Sequence, residues 1–131
     1  MLFDLYRQFY GKESSPDSAR EFLRARFTRA ESVLFIAYID NQAVGFIQLY
    51  PSFSSASLAR IFILNDLFVV PDARRKSVAT HLMNAATHYA KEVGAIRLSL
   101  STAIDNKTAQ ALYETKGWVR DNEFCEYTFS L

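Results

Sequence analysis

Arg74, Arg75 and Lys76 follow one another just ahead of an amphipathic helical pattern that starts near Ser77. A helix N-terminus carries unpaired N–H groups and the positive end of the macrodipole, so it favours acids. Three adjacent cations there repel one another with only Asp72 to compensate. An anion such as a phosphate seated on the helix N-terminus would resolve the conflict; a solvated basic turn is the plainer alternative. Asn65 and Asp66 form the only polar pair in the apolar run 61–70. His81 and His88 lie seven apart on one helical pattern with no third ligand nearby, a poor metal site. No serine or cysteine sits in a nucleophile elbow. There is no G-x-x-x-x-G-K-[ST] loop and no G-x-G-x-x-G, which argues against nucleoside triphosphate hydrolysis and dinucleotide redox chemistry.

The elements that must position these residues follow from hydrophobic period and turn chemistry. Leu2, Leu5, Tyr6 and Phe9 recur at helical spacing up to Gly11. Ser15-Pro16-Asp17 opens a second helix with a cap, a first-position proline and a first-turn acid. Phe22, Leu23, Phe27 and Ala30 are its expected buried stripe. Residues 33–39 and 43–50 predict a hairpin through Asp40-Asn41-Gln42, and residues 51–57 a small-residue loop. The run 61–70 suits a strand buried on both faces. A helix over 77–93 ends at Gly94, a strand covers 95–101, and a short helix capped by Asp105-Asn106 runs to Gly117. Two strands, over 118–120 and 124–130, close the chain. The order α-α-β-β-β-α-β-α-β-β predicts an α/β fold (α+β mixed) with a mixed, mostly antiparallel sheet and helices on both faces.

The 131 residues suffice for one domain, expected over 1–131, with a real core. Half are hydrophobic and 22% charged, ordinary for a globular protein; 11 Phe and 7 Tyr suggest a core filled with rings. A net charge of +1 gives no reason to expect a nucleic-acid or membrane partner. The single cysteine, Cys125, excludes an internal disulfide and is expected in a core or interface, in a cytoplasmic protein.

Two segments carry a family resemblance. Val69-Val70-Pro71-Asp72-Ala73-Arg74-Arg75-Lys76-Ser77-Val78-Ala79-Thr80-His81-Leu82 resembles the acyl-CoA signature V-x-P-x-x-R-G-x-G-[IV]-[GA]-x-x-L of GNAT N-acetyltransferases, with Arg74 and Ala79 at the ends of its core. Asp105 to Trp118 resembles the family's N-x-x-A-x-x-[LF]-Y-x-x-x-G-[FW], through Asn106, Ala109, Leu112, Tyr113, Gly117 and Trp118. The resemblance covers 33–131, and the two N-terminal helices more loosely.

It implies acetyl-CoA as co-substrate and no metal. Backbone N–H groups of Arg75, Lys76, Ser77, Val78, Ala79 and Thr80 would cradle the pyrophosphate, with Arg74 opening the loop. Leu67, Phe68 and Val69 would offer main-chain bonds to the pantetheine arm and one N–H to the developing oxyanion. Asn106 would bind the pantetheine or adenine side, and Tyr113 would protonate the departing thiolate. An alkylamine acceptor of pKa about 10.4 is neutral in only about one molecule in a few thousand at pH 7. Asp66 is therefore the candidate base or ammonium anchor, against a structural role at a strand bulge. The Asn65–Val69 segment resembles that of diamine acetyltransferases, which points to a diamine or polyamine; a protein amine, an amino acid or an aminoglycoside stays open. Tyr6, Phe9, Tyr10, Tyr50 and Phe53 could line the acceptor pocket, but simple core packing is the preferred reading for most of them. Ser77 and Arg75 replace glycines of the signature, and the family's usual opening strand has no counterpart ahead of the first helix. Either the chain starts late or a partner subunit covers that edge, and a homodimer is expected. A non-catalytic CoA-binding or dimerising module is the alternative of another class.

Overall fold

The computed structural model describes residues 1–131, which form two compact units, Met1–Leu100 and Ser101–Leu131. The first contains helices α1 (Leu2–Phe9) and α2 (Pro16–Thr28), strands β1 (Val33–Ile39), β2 (Gln42–Ser54) and β3 (Ala59–Val69), helix α3 (Val78–Glu92) and strand β4 (Leu98–Ser99). Strand order is β1-β2-β3-β4. The first three strands are antiparallel and β4 is parallel to β3, the mixed, mostly antiparallel sheet expected of the sequence.

The β2–β3 hairpin is longer than expected, since residues 51–54 continue β2 instead of looping. Proline is tolerated there for a reason of register. Alternation along β2 turns the Pro51 nitrogen toward the β1 side. Because β1 ends opposite Leu49, no ladder bond is lost.

An extra residue at Asn65 breaks the β2–β3 register, with Gln48 opposite Asp66 and Leu49 opposite Leu64. A bulge of this kind reverses which face each side chain takes. Phe62 meets Tyr89 of α3 at 5.8 Å between ring centroids, whereas Phe68 meets Tyr6 and Phe9 of α1, each at 6.3 Å. Helices therefore cover both faces. The core lies on β2, β3 and α3, where Ile47, Leu49, Phe62 and Ala86 are essentially inaccessible. Gly45 permits close packing against β3 and the start of α3: a Cβ there would meet the Phe68 carbonyl oxygen at 2.8 Å and the Val78 side chain at 3.3 Å.

Helix α1 stops as expected, with Gly11 in the left-handed region. Its Asp4 is buried, which no local signal announces. The carboxylate accepts the Ser14 hydroxyl and the Ser15 amide, both at 2.7 Å, which ties α1 to the start of α2. These bonds, Ser14's foremost, hold its pKa below the ordinary value. Ser15 is the α2 cap residue but makes no side-chain cap bond. The α2 stripe departs from expectation: Phe22 and Phe27 are 40% and 51% exposed, and Ala30 lies past the helix with positive φ.

In the second unit, α4 (Lys107–Thr115) begins at Asn106, whose side chain accepts the Ala109 amide at 3.2 Å. Gly117 is left-handed just beyond it. The two closing strands are not formed, and residues 118–131 carry no regular element. An apolar alternation makes a strand only where a neighbour completes its ladder, and these residues have none. Cys125 is accordingly exposed, not in a core. The strand expected over 95–101 shrinks to Leu98–Ser99 for the same reason, having ladder partners only at Phe62 and Ile63.

Candidate active site

In the first unit, β3 brings Asp66 and the peptide groups of Leu67–Val69 up to the turn that starts α3. The Val70 amide donates to the Val44 carbonyl at 2.8 Å. Alternation therefore turns the N–H and C=O groups of Leu67 and Val69 to the opposite edge. On that edge β4 pairs only with Phe62 and Ile63, so within this unit the edge past them is open. The Val69 carbonyl is taken by Arg74, whose Nε donates to it at 2.9 Å. Phe68, between them, directs its peptide groups to β2.

After a single helical turn over Pro71–Ala73, Arg75 and Ser77 both take left-handed backbone, with φ of 63° and 62°. The acyl-CoA signature has glycine at both positions, where this backbone is free of strain; here two residues with a Cβ bear its cost. Arg75, Lys76 and Ser77 are exposed, while Val78, Ala79 and Thr80 start α3. The first turn of α3 holds no acid, and Ser77 forms no side-chain cap bond. Amides of that turn thus have no side-chain cap and stand next to exposed cations, an arrangement suited to an anion. Arg74 is turned elsewhere: its guanidinium lies 5.7 Å from the Phe9 ring centroid and 6.0 Å from that of Phe68. Its visible work is to lock the loop to β3.

Asp66 is 2% exposed. Gln48 donates to one of its oxygens at 2.5 Å and Asn65 to the other at 3.0 Å. The Ser32 hydroxyl donates to Gln48 at 2.6 Å. The Tyr6 hydroxyl donates to the Asn65 carbonyl at the bulge, at 3.3 Å. Burial, and then the neighbouring Asp66, push the Tyr6 phenol far above its ordinary pKa. Tyr50 is pushed up to about 12 by burial and the Asp66 charge, with Arg26 opposing. Both phenols stay protonated beside a buried carboxylate. Gln48 and Ser32 were missed from sequence; the available signal was the lone polar residue in the apolar β2 run Gly45 to Tyr50.

Of the candidate pocket aromatics, Tyr6 and Tyr50 adjoin Asp66. Phe9 and Tyr10 are 60% and 61% exposed at the end of α1, and Phe53 is 68% exposed under Arg60, so core packing does not explain these three. Asn106 and Tyr113 belong to the second unit, at the cap and on the body of α4, with the Tyr113 ring 5.9 Å from that of Trp118.

The model of the acetyltransferase (GNAT) family matches residues 1–118. The chain belongs to this family. It is 46% identical over 130 residues to an N-acetyltransferase of Bacillus subtilis called YhfO, covering 99% of this chain and 87% of that protein. A crystal structure of a probable acetyltransferase superposes with a TM-score of 0.93 at 48% identity, over 99% of this chain and 87% of the other. An aminoglycoside N(6')-acetyltransferase type 1 from Acinetobacter genomosp. 13 is 28% identical over 94 residues, 69% of this chain and 64% of that protein. The chain is thus a GNAT N-acetyltransferase, and enzymes of this family use acetyl-CoA. No helix is long and apolar enough to cross a membrane.

Proposed function

We propose that this chain, acting as one domain, moves the acetyl group of acetyl-CoA to a primary amine of a small polycation such as a diamine or polyamine. One observation carries the reading: the open β3 edge at Leu67 and Val69 runs into a helix N-terminus fronted by Arg75, Lys76 and Ser77. The edge would hold the pantetheine amides, and the loop and first-turn amides through Thr80 the pyrophosphate.

In this account an edge N–H polarises the thioester carbonyl, the amine nitrogen attacks its carbon, and the tetrahedral oxyanion stays on that N–H. The C–S bond then breaks, Tyr113 donates its proton to the thiolate, and the second proton, shed by the nitrogen as the intermediate collapses, restores the phenol. Asp66 takes the ammonium proton directly or through a water, or holds the ammonium by its charge. Asn106 serves the pantetheine or adenine side. Support for a cationic acceptor comes from the buried carboxylate ringed by Tyr6 and Tyr50 beside that edge. The name of the Acinetobacter relative gives an acceptor of the same charge class for that protein. The unpaired Cys125 fits a reducing cytoplasm.

Calorimetry with acetyl-CoA, followed by a thiol-release assay over diamines, polyamines, aminoglycosides, amino acids and peptide N-termini, tests the reading. Acetyl-CoA binding with turnover on diamines or polyamines supports it. Turnover confined to another panel member corrects the acceptor. Binding without turnover on any amine leaves a CoA-binding module, and absence of binding refutes the cofactor site.

A further inference from the structure

We infer that Gln48, held in one orientation by Ser32, is a positioning residue for the reaction: it keeps the buried Asp66 ionised and uncompensated, ready for a cationic acceptor. The inference rests on Asp66 serving the acceptor, as proposed above. Strand alternation brings the pair together. Phe46 and Phe68 stand opposite each other under Tyr6 of α1, and Gln48 and Asp66, two residues along each strand, are opposed on the same face. Both are closed to water, at 0% and 2% exposure. The ordinary partner of a buried carboxylate is a cation, yet Asp66 enters none of the ion pairs of the structure. Two amides take that place, Gln48 on Oδ2 at 2.5 Å and Asn65 on Oδ1 at 3.0 Å.

Amide donors favour the charged form without cancelling its charge. A guanidinium in the same place would neutralise the site and leave nothing for an ammonium. The direction of the chain is also dictated. An ionised carboxylate only accepts, so Gln48 must turn its NH₂ toward Asp66 and its Oε1 away, where the Ser32 hydroxyl donates to it at 2.6 Å. Ser32 lies just ahead of β1 and so fixes the amide from outside the β2–β3 pair. Of the about four lone-pair sites of a carboxylate, the two amides use one on each oxygen and the others remain for the acceptor. The titratable neighbours do not compete. Tyr6 from α1 and Tyr50 from β2 stay protonated, and Arg26 of α2, which acts on Tyr50, is engaged with Glu31 at 3.2 Å.

Gln48→Met keeps the volume and removes the donor. In a carbon-13 NMR titration of the aspartate carboxyls, with the Asp66 signal identified by its loss in Asp66→Asn, that signal should titrate about one pH unit higher in Gln48→Met than in the parent. The acid limb of kcat/KM, read by thiol release with the best amine, should move the same way, while Kd for acetyl-CoA stays within about twofold. Ser32→Ala should give a smaller move in the same direction, and Ser32→Thr, which restores the hydroxyl, should reverse it. An Asp66 signal unmoved in folded Gln48→Met overturns the inference. So does a moved signal with an unmoved acid limb, in an enzyme that Asp66→Asn does impair. An Asp66→Asn enzyme with the parent's acid limb instead overturns the acceptor role of Asp66, and this inference with it. Should Gln48→Met unfold, the Ser32 pair decides, and an Asp66 signal unmoved in Ser32→Ala overturns the inference.

Discussion

Replacing Ser77 by glycine should stabilise this protein, although glycine ordinarily weakens a helix start. Ser77 sits at φ 62°, ψ 17°, and its hydroxyl makes no cap bond, so no side-chain hydrogen bond is given up. A non-glycine residue in left-handed backbone costs about 1–2 kcal/mol. Glycine removes that cost but adds about 0.5–1 kcal/mol of freedom to the unfolded chain. The net gain is about 0.5–1 kcal/mol, a rise in Tm of roughly 2–5 °C for a chain of this size. Ser77→Ala is the control, because it keeps the Cβ and should gain nothing. Thermal unfolding of the three proteins reads the difference. The strain is present with or without cofactor, so Kd for acetyl-CoA should stay within about twofold. A glycine variant no more stable than the alanine variant would refute the strain argument. A large loss of acetyl-CoA affinity in both would show that the hydroxyl, not the backbone, holds the phosphate.

Tyr113→Phe should lower kcat by roughly 10²–10⁴ with acetyl-CoA affinity retained, as for loss of a general acid; unchanged single-turnover rates would remove it from that role. Asp66→Asn sets an amide against the Gln48 and Asn65 amides that now donate to the carboxylate. It should cost about 1–3 kcal/mol of stability and flatten the pH dependence of kcat/KM in the folded fraction; a retained profile would make Asp66 purely structural. The folded pKa of Asp4 is depressed below its ordinary 3.8. Its contribution to stability is therefore present above that pH and lost as pH falls through the lower, folded value. Asp4→Asn should be less stable than the parent at neutral pH, with the gap in denaturant midpoint closing below pH 3.8; a gap constant with pH would exclude the linkage.

Helices were legible because their signals are local. Gly11, Pro16, Gly94 and Gly117 punctuate the chain where α1, α2, α3 and α4 begin or end. What stayed hidden depended on register and partners. Pro51 looked like a loop residue until β1 ended opposite Leu49 and relieved it of a ladder bond. The bulge at Asn65 was masked by the apolar run around it, which read as a strand buried on both faces when it is a strand that changes face. Asp4 looked like an ordinary first-turn acid, and only the returning Ser14-Ser15 segment buries it. The alternation in 118–131 promised strands that form only with a ladder neighbour. The candidate site was legible as residue types at motif spacing; the strained Arg75 and Ser77, and the Gln48 and Ser32 bonds around Asp66, needed the fold.

Amide exchange with and without CoA reads cofactor binding at the backbone groups proposed to carry it. CoA should protect the Leu67 and Val69 amides and those of residues 75–80, and leave the amides of α2 exchanging as before. CoA binding that leaves Leu67, Val69 and residues 75–80 unprotected would contradict the proposed cofactor site.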